Sequence, residues 1–356
     1  MIKKPFIEQD LVSENYSVIM KNGSIKIISN VEKGDILMGQ DGTSRIVKNA
    51  KICDGLAYIV KPIKGSPFVL GADNYLCLLK VGANGCFLDI HVCDFEKQSE
   101  HFKKNYKLYR TTGIDFKNRK NPVIDPYFLG LLLGDACLRK LPIKLTNPEQ
   151  DIIDYVVEIT KSMDLSTNVC KIVDANCFNT FIGSNRKRNN ILREELKNLG
   201  LWGKLSHQKF IPNLYKLGAK AIRTQVLAGL IDTDGTLTNC NSVRYYTTSE
   251  RLANDTGFVS RSLGLGCSIF NSVKRKDTWN PCYTLSIYGD FSNIPIRVKR
   301  KIPDPRKSIK NVLKTGFSIQ KLEKPTIYYK LEFEGEDQHY LKSDFVVMKG
   351  GNDYVM

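Results

Sequence analysis

Two eight-residue segments of this chain are versions of one another, and each ends in an aspartate. Phe128-Leu129-Gly130-Leu131-Leu132-Leu133-Gly134-Asp135 is followed by Leu227-Ala228-Gly229-Leu230-Ile231-Asp232-Thr233-Asp234, so the acids stand 99 positions apart (135 to 234). A short apolar helix with a small residue on one face can press against its twin until the backbones nearly touch. Gly130 and Gly229 mark that face. Each helix then carries its acid at its C-terminal end, and pairing brings Asp135 and Asp234 together as a site for a hard divalent cation, Mg2+ or Mn2+. A lone aspartate at a helix end is ordinarily a solvated cap, but the duplication overturns that reading. Asp232 lies on a different helix face and reads as structural or secondary.

The repetition extends beyond the two segments. After Asp135 come strand-like residues 143–146, an Asn147-Pro148-Glu149 helix start, strands at 168–173 and 177–182, a helix at 191–199, and Lys209-Phe210-Ile211-Pro212. After Asp234 come strand-like residues 243–247, Thr248-Ser249-Glu250 opening a helix, strands at 267–273 and 282–287, and Arg300-Lys301-Ile302-Pro303. Apolar positions at helical spacing, among them Ile152, Ile153 and Val156, give the first copy's long helix one buried face. Residues 15–115 read instead as short strands, with Asn22-Gly23 as a hairpin turn. Strand character returns after about residue 315. The expected division is a β domain over 1–118, a duplicated domain over 119–315, and closing β strands over 316–356.

A net charge of +16 over 356 residues attracts polyanions, nucleic acid first. No apolar run approaches the length that spans a bilayer. Lysine or arginine near the acids can stabilise charge at a reacting phosphate, and Lys209, Arg300 and Lys301 are the candidates. In the second copy, strict matching to Lys209 selects Arg300, with Lys301 adjacent. Arg186, Lys187, Arg188, Lys299 and Lys307 are candidate phosphate contacts, and Lys144, Arg244, Lys274 and Arg275 are candidate base readers on strands. The ten cysteines are scattered without a C-x-x-C pair and read as buried thiols of a reducing compartment. The first residues lack an apolar core of signal-peptide length, so an intracellular location is expected, nuclear in a eukaryote.

At the two acidic segments the chain resembles the LAGLIDADG homing endonucleases, in the single-chain form with two motifs. Thr233 is the one change in the second motif, and the first motif is looser. Residues 17–38 and 338–347 resemble the opening and closing of an intein's protein-splicing (Hint) domain. Within that family the chain resembles the yeast vacuolar-ATPase intein and mating-type-switching branch. The resemblance implies a mixed α+β fold, with an all-β Hint-like domain interrupted by a pseudo-two-fold duplicated αββαββα endonuclease domain. It also implies a monomer that makes a staggered, Mg2+-dependent break in double-stranded DNA at a long, specific site. Asp135, Asp234 and Lys209 carry over as catalytic positions, with Arg300 or Lys301 as the second cation.

Departures from the intein pattern point to lost splicing. Leu11 stands where a Cys or Ser nucleophile is needed, Gly71-Ala72-Asp73-Asn74 replaces T-x-x-H, and Met348-Lys349-Gly350-Gly351 replaces the closing His-Asn. Two other readings remain open on the sequence: a DNA- or RNA-binding LAGLIDADG protein that does not cut, and an intein that still splices.

Overall fold

The computed structural model describes residues 16–82, 86–116, 120–172, 176–184, 190–271, 281–304 and 311–351. The chain divides into two compact units, Met1–Phe116 with Asn311–Met356, and Lys117–Lys310. Lys314 and Thr315, grouped with the central unit on sequence pattern, instead pair with Tyr109 and Leu108 of the β unit.

In the β unit, strands from beyond the central unit complete sheets begun before it. Thr326–Phe333 pairs along most of Ser44–Gly55, and Phe317–Lys321 pairs with Ala57–Pro62. The hairpin Ser17–Ile19 and Ile25–Ile27 closes around Asn22-Gly23, where Gly23 takes φ 80° and thus a conformation that suits glycine. Val18, Leu37, Val60, Phe68, Leu78, Leu108 and Val346 fill the core. The unit is not purely β. Val92–Glu96 and Glu100–Asn105 are helices, the second capped by Ser99, whose side chain accepts the Phe102 N–H. Helices this short have too few turns for a period to emerge from the sequence.

The central unit repeats one plan twice. The first acidic helix, Pro126–Asp135, leads into a sheet ordered Ala136–Cys137, Ile143–Asn147, Cys177–Ser184, Leu165–Ile172. The second, Lys220–Asp234, leads into Gly235–Leu237, Val243–Thr247, Tyr283–Tyr288, Gly266–Asn271 in the same order. Gln150–Ser162 and Glu250–Ser262 are the matching long helices. The duplication is incomplete at its end. The first copy has the helix Ile191–Asn198 before its closing 3-10 turn Ser206–Gln208, whereas among the described residues the second reaches its matching turn, Lys299–Lys301, without a helix after its last strand.

Both acidic helices are buried on nearly every side, which is why their apolar residues run continuously rather than in a stripe. Their contact is backbone to backbone. A β-carbon on Gly130 would fall 2.6 Å from the Val226 carbonyl oxygen and 2.8 Å from the Gly229 α-carbon. One on Gly229 would run into the Tyr127 carbonyl oxygen and lie 2.9 Å from the Gly130 α-carbon. Only glycine permits this approach. Further along, Gly134 faces the Thr233 side chain, so the threonine of the second helix occupies space that a missing side chain on the first leaves open.

Candidate active site

Asp135 and Asp234 end the two helices at the start of equivalent strands, each partly buried. Their environments differ. Burial raises Asp135, against a hydrogen bond from Asn147 and the charges of Lys301 and Lys209. The Asn147 amide nitrogen lies 2.6 Å from Asp135 Oδ2, while its Oδ1 accepts the Glu149 N–H at 2.8 Å. Asn147 therefore clamps the acid and at the same time closes the turn that leads into the helix Gln150–Ser162. Asp234 accepts no hydrogen bond among the described residues, and burial together with the negative charge of Asp135 pushes it up to about 6. That Asp234 feels the charge of Asp135, and both acids the charges of the two lysines, marks one shared site.

The two lysines occupy matching places. Lys209 is 2% exposed, and its Nζ donates to the carbonyls of Leu132 (3.0 Å), Leu133 (2.9 Å), Gly134 (3.3 Å) and Ala136 (2.8 Å). Lys301 is 4% exposed, and its Nζ donates to Ile231 (3.2 Å), Asp232 (2.8 Å) and Thr233 (2.9 Å). Each ammonium therefore caps the C-terminal carbonyls of one acidic helix, where the helix dipole favours a cation. Burial lowers both, Lys209 to about 8 despite the raising charges of Asp234 and Asp135, and Lys301 with help from Arg300. Arg300, which strict motif matching selects, turns outward and pairs with Glu149 at 2.6 Å. The counterpart of Lys209 is Lys301. The motif slips by one residue because Lys209 follows its 3-10 turn, whereas Lys301 lies within its own.

Asp232 is a latch. It is fully buried and accepts from the Tyr127 hydroxyl at 2.7 Å and from the backbone N–H groups of Arg297 (2.8 Å) and Val298 (3.1 Å). It thereby ties the second acidic helix to the segment that delivers Lys301. Arg297, which the sequence offers only as part of a basic stretch suited to gripping phosphates, lies over the Tyr155 ring at 4.1 Å and the Tyr127 ring at 4.6 Å. Its signal was confined to one basic residue in a basic stretch.

Of the expected DNA contacts, Lys144 and Arg244 are exposed and occupy equivalent registers, opposite Phe181 and Ser286 on the neighbouring strands. Their neighbours Ile143, Leu145, Val243 and Tyr245 point to the core, so the sheets are apolar on one side and polar on the other. Lys299 is exposed. Arg186, Lys187, Arg188, Lys274, Arg275 and Lys307 lie outside the described residues.

Residues 221–292 match the family model of the LAGLIDADG-like domain. The match runs from the second acidic helix through the last strand of its sheet. Over 188 residues, 53% of its length, the chain is 28% identical to the replicative DNA helicase DnaB of Mycobacterium intracellulare. It spans about a quarter (27%) of that relative's length. Among solved structures, the homing endonuclease I-DmoI in complex with DNA and Ca overlaps 46% of this chain and 81% of its own, at TM-score 0.35 and 15% identity. The homing endonuclease I-WcaI, bound to its DNA recognition sequence, overlaps 47% and 78%, at TM-score 0.29 and 16% identity. I-DmoI has also been determined with DNA and Mn.

Proposed function

We propose that the chain is a site-specific DNA endonuclease of the homing type, acting inside the cell as a monomer on a long double-stranded target. The observation that carries this reading is the site itself: two carboxylates ending two helices in backbone contact, each helix capped by a buried lysine. The carboxylates suit Mg2+ or Mn2+. They are hard oxygen donors, Asp135 near enough to raise Asp234 by its charge, and Asp234 has no competing hydrogen bond among the described residues. Asp135 and Asp234 would hold the cation, which when bound supplies charge neutralisation at a scissile phosphate.

The rest of the chemistry belongs to the chain. Asn147 fixes the orientation of Asp135. Lys209 and Lys301 keep positive charge at the helix ends in a dry setting, where it acts more strongly on a developing oxyanion than it would in water. With its Nζ near 8, Lys209 can hold or release a proton close to neutral pH. Lys144 and Arg244, on the polar sides of the sheets, are the proposed base readers, while Lys299 and the basic residues at 186–188, 274, 275 and 307 are proposed to meet the duplex.

The β unit is read as a Hint-like domain that no longer splices, because Leu11 offers no nucleophile and Gly350-Gly351 cannot cyclise. The partial match inside a much longer helicase polypeptide suits an element that resided within a host protein. Incubation of the purified chain and Mg2+ with a randomised duplex library, followed by sequencing of cut ends, should return one long consensus. Asp135→Asn or Asp234→Asn should bind that site and fail to cut it, because phosphate contacts dominate affinity. Undiminished cutting by either variant would remove the two-acid mechanism.

A further inference from the structure

Two cross-strand pairs meet in the β unit. Cys77 on Tyr75–Lys80 is registered directly opposite Asp89 on Phe87–His91. His339 on His339–Leu341 is registered directly opposite Lys349 on Val347–Lys349. Directly opposed side chains project to the same side of their sheet. The Cys77 Sγ, an Asp89 carboxylate oxygen and a His339 ring nitrogen all lie within 4.8 Å of one another.

We propose that Cys77, Asp89 and His339 form a zinc site, separate from the paired aspartates of the central unit and of a different metal class. The donor set is one thiolate, one imidazole and one carboxylate, the mixture that selects Zn2+ over Mg2+. Three protein ligands leave a fourth position for water.

Three further features fit a cation here. The His339 Nδ1 lies 2.8 Å from Asp337 Oδ1, so a carboxylate fixes the ring and leaves Nε2 facing Asp89 at 3.0 Å. Carboxylate support of the second ring nitrogen is the usual arrangement behind a metal-bound histidine. Asp89 Oδ1 is buried and takes no hydrogen bond from a nitrogen or hydroxyl donor; the Cys77 thiol beside the carboxylate is a weak donor, and a metal would satisfy the oxygen better. Asp89 also already attracts positive charge. Burial opposes its ionisation, but His339 and Lys349 together hold the carboxyl below its usual range, with the Lys349 Nζ at 2.9 Å from Oδ2.

Lys349 is the competitor at this site. Its ammonium stands 4.6 Å from the centre of the Tyr75 ring and can rest there by cation–π attraction when displaced from Asp89. Donors around tetrahedral zinc stand about 3.5 Å apart, so the ligands need draw in by only about 1 Å.

Binding has a defined proton balance. Zn2+ takes the place of the proton on the Cys77 thiol and of the proton shared between His339 Nε2 and Asp89, releasing up to two protons per metal. Zinc affinity should therefore increase with pH.

The test uses the full chain, stripped with a chelator and titrated with Zn2+ against a chromophoric competitor, then with Co2+. One zinc per chain is expected, together with a thiolate-to-Co2+ charge-transfer band. Cys77→Ser should abolish the band, and His339→Ala should weaken zinc binding at least a hundredfold. Asp337→Asn should weaken it about ten- to a hundredfold. Cys86→Ser, at an exposed thiol, should change nothing. Lys349→Met should tighten binding by removing the competing cation, a gain that misfolding cannot produce. Absence of stoichiometric zinc, a band that survives Cys77→Ser, or weaker binding by Lys349→Met would each overturn the site. None of these readouts depends on DNA cleavage.

Discussion

Gly134→Ala should be harmful in this chain and harmless, or better, once Thr233 is also changed. A β-carbon on Gly134 would run into Thr233 Oγ1 and lie 2.5 Å from its Cβ and 2.9 Å from its Cγ2. Thr233 cannot swing aside freely, because its hydroxyl donates to the carbonyls of Leu230 (2.9 Å) and Gly229 (3.2 Å). Overpacking of this kind costs about 1–3 kcal/mol. Thr233→Gly removes all three clashing atoms. In that background the alanine brings only its helix preference, up to about 1 kcal/mol in its favour. The coupling energy of the pair should therefore reach about 2–3 kcal/mol.

Urea unfolding followed by tryptophan fluorescence measures it, since both tryptophans, Trp202 and Trp279, fall within the span of the central unit. Additive effects, with coupling below about 0.5 kcal/mol, would refute the proposed fit between the helices. Gly130→Ala is the contrast. Its β-carbon would meet backbone at Val226, Gly229 and Leu230, so no single side-chain change can relieve it. The helices must part, and a displacement of about 1 Å at the acids should lower cleavage about a hundredfold.

Asp232→Ala should destabilise the central unit by about 2–4 kcal/mol, because it strands the Tyr127 hydroxyl and two backbone N–H groups, and it should slow cleavage by loosening the segment that carries Lys301. A urea midpoint within error of wild type would deny the latch. Asp234 should make metal-free stability pH-dependent. An acid raised to about 6 from 3.8 binds its proton more tightly folded than unfolded, so stability falls as pH rises across that interval and is level above it. Asp234→Asn should lose this limb and be the more stable protein at pH 7 without metal. Unchanged pH profiles in the two proteins would show that Asp234 is not buried against a like charge. Lys209→Met and Lys301→Met should each slow cleavage on the order of a hundredfold and let nicked duplex accumulate. A plasmid time course resolving nicked from linear forms decides this, and wild-type rates would reduce the lysines to helix caps.

The helix pair was legible because its cause is local. Gly130 and Gly229 sit at matching places in two apolar segments, and few arrangements use a paired glycine in that way. The acids followed from the same register. The second lysine did not, because a one-residue difference in how a 3-10 turn ends decides whether position 300 or 301 turns inward, and no sequence period records it. The clamp that Asn147 makes on an acid and the stacking of Arg297 were not legible for another reason. Their partners, Asp135 for one and Tyr127 and Tyr155 for the other, are reached only after strands and helices have folded over. The Cys77, Asp89 and His339 cluster is the extreme case, two strand pairs drawn from opposite ends of the chain.

The pseudo-symmetry fails at the positions that matter most for chemistry. Tyr127, Leu133, Gly134 and Asn147 of the first copy stand where the second has Val226, Asp232, Thr233 and Thr247. The consequence is one acid clamped by an amide and one without such a clamp, raised by burial and a like charge against the pull of the two lysines. The lysines follow suit: Lys209 reaches four carbonyls and Lys301 three, and the segment leading to Lys301 is tethered by the Asp232 latch, which Leu133 of the first copy cannot supply. A site built from two unequal halves should not treat the two strands of a duplex alike. Burial and the charge of Asp135 push Asp234 up to about 6, so on the proposed reading its proton loss would precede binding of a divalent cation near neutral pH. The nicked intermediate reads that inequality directly, because equal halves would give two strand cuts at one rate.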